Sequence, residues 1–194
     1  MQPFLFHTQV VSYGIRSAAR EDLRDVVEID RACQRFAWTR QRFDRLARQR
    51  GSMFLVAEAD RHPIGYMLCG ISKYTLRILR MAVAPAFRRL GIGSDLLRFR
   101  ALEEHRQVFV DVREDNLGAQ LFLRASGFRA INTFVGIDAV ERVTWYRFVR
   151  DGRLHHRGGG QISTRGVTQP ARQSSANFRD IRGGEGSTER TAGS

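Results

Sequence analysis

The stretch "LRILRMAVAPAFRRLGIGSDLL", residues 76–97, decides how the rest of the chain is read. Its first half is strand-like, with Leu76 and Ile78 on one face, but Leu79, Met81 and Val83 continue in the opposite phase. A one-residue slip of that kind predicts a β-bulge near Ile78–Leu79, splaying the strand from a neighbour and leaving backbone groups for a ligand. A strand buried on both faces, which needs no alternation, is the alternative. The second half sets Arg88 and Arg89 directly before Gly91-Ile92-Gly93 and an apolar-periodic segment. Glycines let backbone N–H groups turn toward a ligand, a helix N-terminus adds partial positive charge, and guanidiniums add charge-assisted bonds. The pattern describes an anion site. An ordinary turn into a helix is its plainer reading.

Two familiar phosphate motifs do not fit. A P-loop needs Gly-x4-Gly-Lys-Ser/Thr, and no lysine follows Gly93. A dinucleotide fingerprint needs Gly-x-Gly-x-x-Gly, and Leu96 stands at its third glycine. What remains is Arg-x-x-Gly-x-Gly, on Arg88, Gly91 and Gly93.

Working outward, strands and helices interleave. "VVSYGIRSA" reads as a strand and "AREDLRDVVEIDRAC" as a helix, its faces marked by Leu23, Val26, Val27 and Ile29 or Asp30. "TRQRFDRLARQR" reads as a second helix, capped by Thr39 and stopped by Gly51. "SMFLVAEA", "PIGYMLCGISK" and "YTLRILRMAVA" follow as three strands, with Asp60-Arg61-His62-Pro63 supplying turn residues. A helix over about 91–105, a strand "QVFVDVR", a helix from Asn116 to Gly127 and two closing strands complete the order β-α-α-β-β-β-α-β-α-β-β. This is a mixed α/β domain with an antiparallel first half.

Composition sets the boundaries. A chain of 194 residues suits one domain with a real core, of about 150 residues. Residues 151–194 hold nine glycines and seven arginines and almost no large apolar side chains, so they are expected to form a disordered tail after a domain over 1–150. An Arg/Gly-rich arm for nucleic acid is that tail's other reading. The net charge of +12, carried almost entirely by arginine, points to anionic partners or simply to an arginine-rich coding bias. Cys33 and Cys69 are far apart and lack ligand spacing, as in a reduced, cytoplasmic protein. "MQPFLFHTQV" lacks the basic start of a signal peptide, and no run approaches the roughly 18 apolar residues of a membrane span, so no membrane partner is expected. His7, His62, His105, His155 and His156 are scattered, and no metal site is expected.

"LRILRMAVAPAFRRLGIGSDLL" followed by "VFVDVREDNLGAQLFLRASGF" resembles the GNAT acetyltransferases, and within them the ribosomal-protein-alanine N-acetyltransferases. The similarity spans roughly residues 13–149, and the tail has no counterpart in it. It implies a central mixed sheet of six to seven strands with a bulged fourth strand and about four flanking helices. It also implies acetyl-CoA as cosubstrate, lying between the fourth and fifth strands, and a primary amine as acceptor: a protein N-terminus or a small amine. By the same resemblance, the backbone of Met81, Ala82 and Val83 pairs with the pantetheine arm. Arg88, Arg89, Leu90, Gly91, Ile92, Gly93 and Ser94 surround the pyrophosphate, and Asn116, also a ready N-cap, contacts the cosubstrate.

Acyl transfer to an amine needs a proton acceptor for the amine and a proton for the departing thiolate. Backbone N–H groups of the bulged strand would polarise the thioester carbonyl. Asp111 matches the position of the group's glutamate base, one methylene shorter; it also reads as an ion partner for Arg113 or another arginine. The tyrosine that many family members place seven residues after the asparagine is Leu123 here, leaving Tyr74 and Tyr146 as the tyrosines on nearby strands. Phe36 and Trp38 lie where the family builds one wall of its acceptor groove, and they equally suit packing of helices onto the sheet. The expectation is an acetyl-CoA-dependent N-acetyltransferase. The rivals are a catalytically weak acyl-CoA-binding module, suggested by Leu123, and a basic nucleic-acid-binding protein.

Overall fold

A computed structural model describes residues 11–99, 107–138 and 141–151. The strands are β1 (Gly14–Ser17), β2 (Ser52–Ala59), β3 (His62–Ile71), β4 (Thr75–Val83), β5 (Gln107–Arg113), β6 (Arg129–Asp138) and β7 (Glu141–Asp151). The helices are α1 (Leu23–Cys33), α2 (Arg40–Ala47), α3 (Ile92–Leu97) and α4 (Leu117–Ala125). One seven-stranded sheet runs in the order β1-β2-β3-β4-β5-β7-β6. Every neighbouring pair is antiparallel except β4 and β5, which are joined through α3 and run parallel. The expected element order and sheet class are therefore those observed.

Local chemistry explains the elements. Leu23, Val26, Val27 and Ile29 give α1 one buried face, each burial stabilising by about 1.5–3 kcal/mol. Thr39 caps α2 by accepting from the Arg42 N–H at 3.2 Å. That helix ends at Ala47 rather than at Gly51, which instead turns the chain at φ +81, where a Cβ would meet Ile71 O at 2.7 Å. Asp60 and Arg61, with φ of 49 and 67, form the two-residue turn that β2 and β3 need, and His62 and Pro63 already belong to β3. The first strand is shorter than its apolar run, because pairing starts only at Gly14, opposite Glu58 near the end of β2.

The bulge falls where the phase slip puts it. Cys69 pairs with Ile78 and Leu68 with Arg80, so Leu79 is the extra residue. The bulge keeps Leu76 and Ile78, and then Met81 and Val83, in the core beneath α3 and α4, while Arg80 turns to the opposite face. On that opposite face Phe43 of α2 packs on Phe54 and Tyr66, with ring centroids 6.0 and 5.5 Å away. Pairing of β4 with β5 covers only Thr75–Ile78 against Gln107–Val110. Beyond it, Asp111–Arg113 pair with β7 alone, and the two parallel strands part. The expected tail lies outside the described residues apart from Asp151, which ends β7. So does the end of the helix expected to run to about 105; its described part is Ile92–Leu97.

Candidate active site

The parting of β4 from β5 creates an edge inside the sheet. Ala84 donates its N–H to Ile64 of β3 at 2.9 Å, and the two-residue alternation puts Ala82 and Arg80 on that same side. Met81 and Val83 turn their backbone groups to the other side, toward the opening. Their carbonyls accept there from side chains: Gln34 Nε2 reaches Met81 O at 3.4 Å, and Cys33 Sγ and Arg88 Nε reach Val83 O at 3.3 and 3.2 Å. Of the three residues expected to pair with a pantetheine arm, Met81 and Val83 face the opening, and Ala82 faces β3.

The turn into α3 follows directly. A short 3-10 turn, Pro85–Phe87, leads to Arg88 in extended conformation, then to Arg89 at φ 66 and Gly91 at φ 87, both left-handed. Gly91 is the N-cap of α3 and makes no side-chain cap bond, while the buried Ile92 anchors the first turn. At Gly93 a Cβ would stand 3.2 Å from Phe122 Cζ and 3.5 Å from Met81 Cε, so the helix approaches α4 and β4 as closely as glycine allows. The two arginines differ. Both are exposed, as is Leu90, but Arg88 folds back, its Nη2 reaching Cys33 Sγ at 3.2 Å. Ser94 is half-buried in the first turn of α3.

Tyr13 buttresses this turn from outside, donating its hydroxyl to Asp95 Oδ2 at 2.5 Å. That bond to Asp95 pushes the Tyr13 phenol up to about 12. A raised acid of this kind stabilises the fold fully below its ordinary value near 10 and ceases to as pH rises through about 12. In an absorbance titration, Tyr13→Phe should therefore remove a phenol that ionises near pH 12 rather than near the ordinary value of 10. Loss of an early-titrating phenol instead would contradict the bond.

Across the opening, Asp111 is the first residue of β5 past its pairing with β4. Its side chain is only 8% exposed and lies between two guanidiniums: Arg147 of β7 donates Nε to Oδ1 at 2.8 Å and Nη2 to Oδ2 at 3.1 Å, and Arg77 donates to Oδ2. Arg113, the partner weighed from sequence, turns instead to Asp115 at 2.9 Å and Glu141 at 3.5 Å. Asp115 is held below the usual carboxylate range by the Arg113 hydrogen bond. Asn116 caps α4, its Oδ1 accepting from the Ala119 N–H at 3.1 Å. Leu123 is 4% exposed and packs in the core beneath α3 and α4. Tyr74 precedes the first residue of β4, at the end where β4 and β5 are paired, and its own side chain is exposed. Tyr146 packs against the core beneath α3 and α4.

The loop from α1 to α2 closes the remaining side, and it separates the two aromatic candidates. Trp38 joins the aromatic packing, 5.4 Å from Phe43 and beneath Arg42 and Arg80. Phe36 lies farther out, with Arg35 and Arg113 over its ring at 5.3 and 5.7 Å, so it reaches toward β5. Beneath them sits a group that sequence reasoning did not assemble. Asp30, fully buried, accepts from Arg80 Nε and Nη2 at 2.8 and 3.0 Å, from the Trp38 N–H at 2.7 Å and from the Tyr66 hydroxyl. The available signal was Asp30 itself, a carboxylate at i+3 and i+4 from Val27 and Val26 on the apolar face of α1.

Comparison with known proteins places this geometry. The chain is 28% identical over 136 residues to an N-alpha-acetyltransferase of Sulfurisphaera tokodaii, covering 61% of this chain and 81% of that protein. The ribosomal-protein-S18-alanine N-acetyltransferase from Escherichia coli superposes with a TM-score of 0.67 at 16% identity, over 77% of this chain and all of that one. Arabidopsis thaliana NAA60 in complex with acetyl-CoA superposes with a TM-score of 0.63 at 17% identity, over 72% and 98% of the two chains. The sequence model of the acetyltransferase (GNAT) family matches residues 23–128, from the start of α1 through both sides of the opening to the end of α4, and the chain belongs to that family.

Proposed function

We propose that the chain transfers an acetyl group from acetyl-CoA to a primary amine, and that the amine is a protein N-terminal α-amine. The observation that carries this reading is the parting of β4 and β5 at Leu79, directly ahead of a helix entered through left-handed Gly91. The residues fit such a cosubstrate. Met81 and Val83 offer a strand-like edge for the amides of a pantetheine arm, and the backbone at left-handed Gly91, where a Cβ would meet only the Tyr13 hydroxyl at 3.9 Å, leaves the first N–H groups of α3 open to a pyrophosphate. Arg89, exposed on the turn, supplies charge for a pyrophosphate, and Arg88 lies one residue before it. The names of the archaeal relative and of the Escherichia coli neighbour support an N-terminal amine as acceptor.

The reaction needs no covalent enzyme intermediate. The neutral amine attacks the thioester carbonyl, the carbon–sulfur bond breaks, the amine's proton goes to a base, and the thiolate takes a proton. Asp111, at the vertex of the opening, is the base in this reading, acting through a water because its side chain is short. Leu123 supplies no acid and lies in the core, so the thiolate's proton comes from solvent in this reading. That same observation favours a second reading, a catalytically weak acyl-CoA-binding module. The nucleic-acid reading rests on the net charge of +12 and on the tail expected over 151–194, which lies outside the described residues apart from Asp151.

Incubation of the full chain with acetyl-CoA and a library of free-N-terminus peptides separates the two. Mass spectrometry should find a defined subset of peptides acetylated on the α-amine, with free thiol released in equal amount. Tight acetyl-CoA binding without peptide-dependent thiol release would establish the binding module instead.

A further inference from the structure

We propose that Arg80 is a positioning residue for the amine acceptor, holding the α1–α2 loop in place from the strand that lines the opening. The inference rests on the reading of the β4–β5 opening as the acyl-transfer site. Arg80 follows the bulge residue Leu79 directly and turns to the α1 face, while its neighbour Met81 offers backbone to the opening. Its guanidinium makes a two-pronged bond to buried Asp30, at 2.8 and 3.0 Å, and donates to the carbonyl of Phe36 at 2.6 Å. Asp30 in turn accepts the Trp38 N–H at 2.7 Å, and the Trp38 ring lies 4.9 Å from the Arg80 guanidinium. The main chain on both sides of residue 37 therefore hangs from one ion pair. Phe36, the residue so suspended, projects its ring to Arg113 on the far side of the opening.

The arrangement fixes a distance. The bulge sets where β4 leaves β5, and Arg80 ties the acceptor-side wall to that point rather than to a remote part of the fold. A planar guanidinium does this because three of its donors meet fixed acceptors in one plane; an ammonium cannot reproduce the fork. Misplacement of a substrate by about 1 Å costs up to ~10²-fold in rate. None of these contacts involves the backbone of Met81 and Val83, residues 88–94 or Asn116, so acetyl-CoA binding should not depend on them.

The test uses the full chain with Arg80→Lys, which keeps a cation beside Asp30, and Asp30→Asn, which keeps the shape. Amide exchange across residues 35–39 should accelerate in both, while exchange in β2 and β3 stays as in wild type. The acceptor kcat/KM should fall about 10- to 100-fold, mainly through KM, with acetyl-CoA affinity within about twofold of wild type. Unchanged acceptor constants would overturn the proposal even if the loop exchanges faster. An equal loss for both substrates, or general acceleration of exchange, would make Arg80 merely structural. If wild type acetylates no amine at all, the reading of the site fails, while exchange at 35–39 still decides whether Arg80 holds the loop.

Discussion

Gly91→Val should bind coenzyme A roughly 10- to 100-fold more weakly than wild type. Gly91 stands at φ +87 as the N-cap of α3, and a β-branched residue there is a true outlier. The free chain escapes about 1–3 kcal/mol of strain by relaxing out of that region, so binding must restore it, and each 1.4 kcal/mol is tenfold in affinity. If the backbone stays relaxed in the complex, the first N–H groups of α3 turn away from the ligand, and the same contacts are lost. Arg89, already left-handed at φ 66, leaves the turn little room to redistribute the change. Gly14→Val is the control: nothing lies within 4 Å of a Cβ there, and coenzyme A affinity should stay as it is. Calorimetry on both folded variants decides the point. Unchanged affinity in Gly91→Val would remove the turn from the site.

The features that were legible in the sequence are those written in local order. The phase slip between Ile78 and Leu79 carried the bulge because period-2 alternation is a property of consecutive residues, and one extra residue shows as a change of parity. Thr39 and Asn116 were legible as caps for the same reason, each lying three residues before the N–H it accepts from. What stayed hidden depends on pairing across the sheet. Asp30, Tyr66 and Arg80 come from α1, β3 and β4, and only the register of Tyr66 against Ala82, with α1 laid over both strands, brings them together. Asp111 found Arg77 and Arg147 because its neighbours on both sides, β4 and β7, present arginines on the same face. Arg113, two residues along and the nearer partner in sequence, is drawn to Asp115 and Glu141 at the end of the strand. Phe36 and Trp38 looked equivalent in "QRFAWTRQRF", and both are half-buried; that Trp38 packs on Phe43 while Phe36 reaches toward Arg113 is legible only in the fold.

The second large effect concerns Asp111. Asp111→Asn should lower the turnover of an established acceptor by about 10²–10⁴-fold, the loss typical of a missing proton acceptor, with acetyl-CoA affinity unchanged. The carboxylate offers about four lone-pair sites. Three are taken, one on Oδ1 by Arg147 Nε and two on Oδ2 by Arg147 Nη2 and Arg77, which leaves one on Oδ1 for a proton or a water. The position suits the task, since Asp111 is the first β5 residue beyond the paired part of β4. The same three bonds give Asp111 a second job, holding two arginines on the floor of the opening, and asparagine disturbs that as well. Arg147→Met separates the two. It removes two of the three bonds while leaving the carboxylate in place with Arg77, so a proton-accepting Asp111 should keep turnover within about tenfold of wild type. If Arg147→Met loses as much as Asp111→Asn, the arginine array is what matters. If Asp111→Asn acetylates at the wild-type rate across pH 6 to 9, the aspartate is an anchor only, and the amine's proton leaves by another route.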